Sequence, residues 1–145
     1  MKRRNVLPLF GAAFAALSLS LVTDLAQADD GLAVIAHPGV RGLDAEAIRR
    51  VYSGRMVELD GQPLRPVQLV AGHPLRRRFA TAVLQQSDED FIAYWTVRRY
   101  IGKGAPPREL GSSAEVIAQV IATPGAIGYV DVSDLRPGLH VLLRR

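Results

Sequence analysis

Arg76, Arg77 and Arg78 stand in a row directly after Gly72-His73-Pro74-Leu75. A guanidinium presents five N–H donors in a planar fork and can meet an oxyanion through two parallel hydrogen bonds. If a helix begins at Pro74, its first backbone N–H groups and the positive end of its dipole add to that fork. The turn over residues 72–78 is therefore a candidate anion site, with Gly72, His73, Leu75, Arg76 and Arg78 as its contacts. A second reading stays open beside it: a solvated helix face whose arginine stems cover apolar surface. Placing Leu75, Phe79 and Val83 inward turns Arg77 to solvent and sets Arg76 and Arg78 on either flank of the buried stripe.

Other chemistries find less support. His37, His73 and His140 are far apart and show no H-x-x-x-H spacing, so no metal site is expected. There is no cysteine, which excludes a thiolate zinc site, a disulfide framework, a cysteine nucleophile and a lipid-bearing cysteine. No G-x-S-x-G is present, and Ser53, Ser87, Ser112, Ser113 and Ser133 fit caps and turns. Gly102-Lys103-Gly104 lacks the further glycine of a dinucleotide fingerprint and follows a helical stretch instead of a strand. Asp88, Glu89 and Asp90 read as the solvated first turn of a helix, where the dipole favours acids. No catalytic constellation and no cofactor are expected, and the chain is not read as an enzyme.

The elements that must position the arginines follow from pattern. Residues 32–36 form an apolar run rich in strand formers. Asp44 is an N-cap for a helix to about residue 52, with Leu43 and Ile48 as a hydrophobic staple. Asp60-Gly61 reads as the turn of a short hairpin. A strand over residues 67–70 leads into Gly72-His73-Pro74 and the arginine helix. Ser87 opens a helix that buries Phe91, Ile92 and Trp95, and residues 102–107 read as a loop. Ser112-x-x-Glu115 is a capping box for a helix burying Val116, Ile117, Val120 and Ile121. Strands over 127–130 and 139–143 close the chain. Strand and helix alternate, so the fold class is α/β: a three-layer domain of flanking helices on a mixed sheet.

The chain has 145 residues, 48% of them hydrophobic and 22% charged, a globular profile for one domain. Lys2, Arg3 and Arg4 precede an apolar stretch, and Ala26-Gln27-Ala28 follows it as a small-x-small cleavage pattern. Residues 1–28 are thus expected to be a secretory signal peptide, leaving 29–145 as a single domain in the periplasm without a lipid anchor. Loss of those residues reduces the net charge from +4 to +2. Near-neutrality and secretion both oppose a nucleic-acid partner.

The run Thr123-Pro124-Gly125-Ala126-Ile127-Gly128-Tyr129-Val130 resembles the PGAIGYV signature of phosphate-type periplasmic substrate-binding proteins of ABC transporters. The segments 43–54, 60–66, Phe91-x-x-Tyr94-Trp95 and 102–107 resemble further pieces of that family in the same order, the last two those of a short secreted subgroup. The resemblance spans roughly residues 32–131. It implies a fold whose two lobes close on an oxyanion. One lobe is about 100 residues or more, so this chain is expected to make a single lobe of that type. The family holds phosphate with a Ser-Gly-Thr turn at a helix start; the matching positions are His73, Pro74 and Leu75, which carry no hydroxyl. The resemblance implies an anion-binding component of phosphate uptake, with a small oxyanion as ligand and a membrane transporter as partner. The alternative is an interaction or sensory accessory protein that keeps the fold without a ligand, docking on a membrane partner or pairing as a homodimer.

Overall fold

The computed structural model describes residues 31–145. The expected signal peptide lies outside them. Among the described residues no helix is long and apolar enough to cross a membrane.

Strand β1 (Leu32–Ala36) is buried at every position, so it reads as a continuous apolar run. A central strand covered on both faces has that composition. It lies between β6 (Ala126–Asp131) and β7 (His140–Arg144), antiparallel to both. Beyond β6 come β4 (Arg65–Leu69) and the edge strand β5 (Arg108–Leu110), giving the order β5-β4-β6-β1-β7. β4 runs parallel to both β5 and β6. Parallel neighbours need crossovers. Helices α2 (Pro74–Phe79) and α3 (Asp88–Tyr100) make the first, and α4 (Ser113–Ala122) makes the second. β2 (Glu58–Leu59) and β3 (Gln62–Pro63) form a separate hairpin after α1 (Ala45–Tyr52).

Alternation along β6 separates the layers. A Cβ at Gly128 would meet Val116 and Val120 of α4. Next along the strand, Tyr129 faces the other way and stacks on Phe79 of α2, ring centroids 4.0 Å apart. Successive strand residues point to opposite faces, so α4 and α2 cover opposite sides of the sheet. The result is the mixed three-layer α/β arrangement expected from the sequence.

Local rules explain most boundaries. The Asp44 carboxylate accepts from the Ala47 N–H at 2.8 Å and caps α1. Ser112 caps α4 through the Glu115 N–H, and the Glu115 carboxylate reaches back to the Gly111 N–H at 2.6 Å. Trp95 and Phe91 are buried, with the Trp95 indole donating to the Tyr52 carbonyl at 3.0 Å. Gly125 has φ +81°, and a Cβ there would collide with the Pro63 carbonyl oxygen.

Four details differ from the pattern. β5 follows the 102–107 loop and was not foreseen; three residues are too few to show a period. α2 continues as a π-helical turn, Ala80–Leu84. Ile92 and Ile121 are exposed, because the buried arcs of α3 and α4 are narrower than their apolar content. β4 begins earlier than expected, and Val70 is exposed beyond its end.

Candidate functional site

The chain leaves β4 at Leu69 and turns through Gly72, whose φ of +87° suits glycine. The His73 N–H donates back to the Val70 carbonyl at 3.2 Å, closing the turn. His73 then acts as N-cap: its Nδ1 accepts the Leu75 N–H at 3.1 Å. Pro74 occupies the first helical position and has no N–H. The next two amides, Arg76 and Arg77, both donate to the His73 carbonyl, at 3.0 and 3.3 Å. From Leu75 through Arg77, every N–H at the start of α2 has a partner within the chain. Leu75 itself is packed in the core beside Phe79.

The three arginines diverge. Arg76 is 3% exposed, inside the buried stripe and not on its flank. Its Nε donates to Asp88 Oδ1 at 2.8 Å. Its Nη1 donates to the Leu69 carbonyl at 2.9 Å and to Glu109 Oε1 at 3.0 Å. One side chain thereby joins the end of β4, the first turn of α3 and the edge strand β5. Burial alone would lower its pKa; the hydrogen bonds to Asp88 and Glu109 outweigh that and hold it above its usual value. The expected placement of Arg76 on the flank of the buried stripe therefore needs correction: α2 turns this position inward, onto two carboxylates. Asp88 needs the matching correction. It is not a solvated acid but 6% exposed and ion-paired.

Arg77 and Arg78 are exposed. Arg78 stands 3.5 Å from Asp131 Oδ2 at the end of β6. The Asp131 pKa is lowered, first by the Ser133 N–H that donates to it, then by the Ser133 hydroxyl and by Arg78. Deeper in, burial pushes the Tyr129 phenol well up, while its oxygen accepts the Leu69 N–H at 3.0 Å. Tyr52 is raised likewise by burial and donates to the Val67 carbonyl at 2.8 Å. Both phenols serve as neutral struts within the core.

A second arginine cluster was not singled out by sequence. Arg49, Arg50 and Arg55 line a cavity of about 380 Å³ between the end of α1, the turn Leu84-Gln85-Gln86 and α3. The Arg49-Arg50 pair was visible in the sequence, but nothing nearby said that Gln85 and Tyr94 would face it. Among the described residues, no group of three or more His, Asp or Glu side chains could hold a metal ion.

No protein-family model matches the chain, and no curated protein sequence matches it. Solved structures do share its fold. An ABC-type phosphate transport receptor from Vibrio cholerae superposes with a TM-score of 0.60 at 17% identity, over 78% of this chain and 45% of that one. PstS from Borrelia burgdorferi gives 0.57 at 15% identity, over 78% and 46%. A protein from Clostridium perfringens described as a phosphate ABC transporter substrate-binding protein, with phosphate bound, gives 0.57 at 21% identity, over 78% and 44%.

Proposed function

We infer the function of this chain from its fold, which it shares with the solved phosphate-type substrate-binding proteins it matches while spanning a little under half their length. We propose that it is a secreted, periplasmic, single-lobe protein of that type, serving anion uptake by an ABC-type transporter and taking a small oxyanion as ligand. The observation that supports this reading is the shared fold, because two neighbours with that architecture are described as proteins of phosphate transport. In this proposal the ligand sits at the turn over residues 72–78. Arg78 and the exposed Gly72 backbone make direct contact, together with the ring nitrogen of His73 that does not cap the helix. Leu75 and Arg76 hold the helix start in place.

A second reading is favoured by one observation: the α2 amides at Leu75, Arg76 and Arg77 are already bonded within the chain, and Arg76 is neutralised by carboxylates. An accessory protein that keeps the lobe and binds a protein partner, without an anion at this turn, fits that closure. Thermal unfolding at fixed ionic strength separates the two. An oxyanion binder at one hundred times Kd gains about 2.7 kcal/mol of stability. Phosphate, sulfate and molybdate are the probes. Arg78→Ala should weaken phosphate about ten-fold, the scale of one charge-assisted contact, and Arg77→Ala should not. No saturable response to any of the three supports the accessory reading.

A further inference from the structure

We infer a polyanion-binding pocket, separate from the α2 turn, formed by Arg49, Arg50 and Arg55 between α1 and α3. Its ligand class is a small molecule carrying two or more closely spaced anionic groups, phosphoryl or carboxylate. The argument begins with charge. Three guanidiniums line one cavity, and Glu46 is the single carboxylate among its lining residues. Glu46 forms no ion pair with any of them; the ion pairs among the described residues involve only Arg76 and Arg78. Arg49 is held by one hydrogen bond, its Nη1 donating to the Val83 carbonyl at 3.3 Å. The side chains of Arg50 and Arg55 make no hydrogen bond and no ion pair among the described residues, so both forks are open to a ligand. Gathering three like charges around one unpaired carboxylate leaves an excess of positive charge, which is unfavourable and which an anion relieves.

Size and rigidity agree. At about 380 Å³ the cavity falls in the range of small-molecule sites and exceeds what one tetrahedral oxyanion fills. The walls are fixed from below: Leu84 and Phe91 are buried, and the Tyr94 hydroxyl donates to the Ser53 carbonyl at 2.7 Å, tying α3 to the end of α1. Gln85 takes a left-handed conformation, φ +57°, at the end of the π-helical turn. That conformation is uncommon outside glycine. Gln85 and Gln86 join the arginines along the lining. The helix ends beside the pocket present carbonyl groups, which repel an anion; Arg49 answers one of them and leaves its remaining donors free.

Titration calorimetry with pyrophosphate and with citrate, at constant ionic strength, tests the site on the intact protein. Saturable one-to-one binding of either is expected, and which one binds tells phosphoryl from carboxylate recognition. Arg50→Ala and Arg55→Ala should each weaken it about ten-fold or more, and Arg55→Glu should abolish it. Both positions are exposed, so the variants should unfold at the wild-type temperature, which the same samples check. Arg77→Ala and Arg78→Ala, on α2, should leave this binding unchanged; loss of phosphate binding in Arg78→Ala bears only on the turn over residues 72–78. Absence of saturable binding of both probes overturns the pocket. Equal small losses in all four alanine variants overturn it too, since they would report diffuse electrostatics.

Discussion

At the start of α2, Arg76 is buried between Asp88 and Glu109; at and just beyond the end of α1, Arg50 and Arg55 face an open cavity and pair with no carboxylate among the described residues. The residue type is the same and the local sequence is similar, a short run of arginines on a helix. Burial separates them. A guanidinium taken out of water must find acceptors, so at position 76 the fold supplies three and the charge becomes architecture. A guanidinium left at a cavity wall keeps its hydration and its availability. An unpaired arginine beside a cavity is therefore a better pointer to a ligand than an arginine in a conspicuous row.

The largest expected effect breaks the buried side of this comparison. Arg76→Ala leaves Asp88 charged and almost fully enclosed, a change that costs on the order of 3–5 kcal/mol. That is a large part of the roughly 5–15 kcal/mol that a domain has. Arg50→Ala should change stability by no more than about 0.5 kcal/mol, as exposed positions do. Urea unfolding of the two variants measures the contrast. The double variant Arg76→Met with Asp88→Leu should recover most of the loss, because replacing both members of a buried pair by apolar groups is often close to neutral. If Arg76→Ala alone unfolds at the wild-type midpoint, the network does not brace the junction.

How far the sequence reached follows from the same contrast. The helix starts at Asp44 and Ser112 and the burial of Trp95 rest on neighbours within a few residues, and all three were readable. The mixed sheet followed from alternation and from the PGAIGYV run. Arg76 was visible as unusual, but its fate depends on Asp88 twelve positions on and Glu109 thirty-three positions on. Only the β4–α2–α3–β5 crossover brings those together. Arg49, Arg50 and Arg55 escaped for a like reason: what makes them a pocket is the turn at Gln85 and the face of Tyr94, both thirty or more residues away. Patterns of 2 and 3.6 residues place an arginine on a face; they do not say whether that face meets acid, solvent or a cavity.

An intermediate effect sharpens the closed state of the α2 turn. His73→Ala removes the acceptor of the Leu75 N–H. Losing an N-cap side chain costs about 1 kcal/mol. His73→Asp should retain a cap and add a negative charge where the helix dipole favours it, so its stability should match or exceed the parent protein. Its anion affinity at that turn should fall instead. A variant in which stability and anion affinity moved in the same direction would mean that the cap and the ligand do not compete for the helix start.

The smallest expected effect concerns Asp131, because its partner Arg78 lies at the surface. The carboxylate accepts from the Ser133 N–H and hydroxyl, both at 2.9 Å, and faces Arg78 at 3.5 Å. These contacts favour the charged form and depress its pKa below the ordinary 3.8. A group with a lowered native pKa stabilises the fold above its unfolded pKa, and the contribution disappears as pH falls through the native value. The difference in stability between the parent protein and Asp131→Asn should therefore be constant at neutral pH and shrink below about pH 4. Removing the charge should also release Arg78 to bind an anion at the turn over residues 72–78. Under the oxyanion reading, Asp131→Asn strengthens phosphate binding while slightly weakening the fold; under the accessory reading only the stability changes. Calorimetry and urea midpoints on that one variant separate the two. The Arg50 and Arg55 pocket should register neither change.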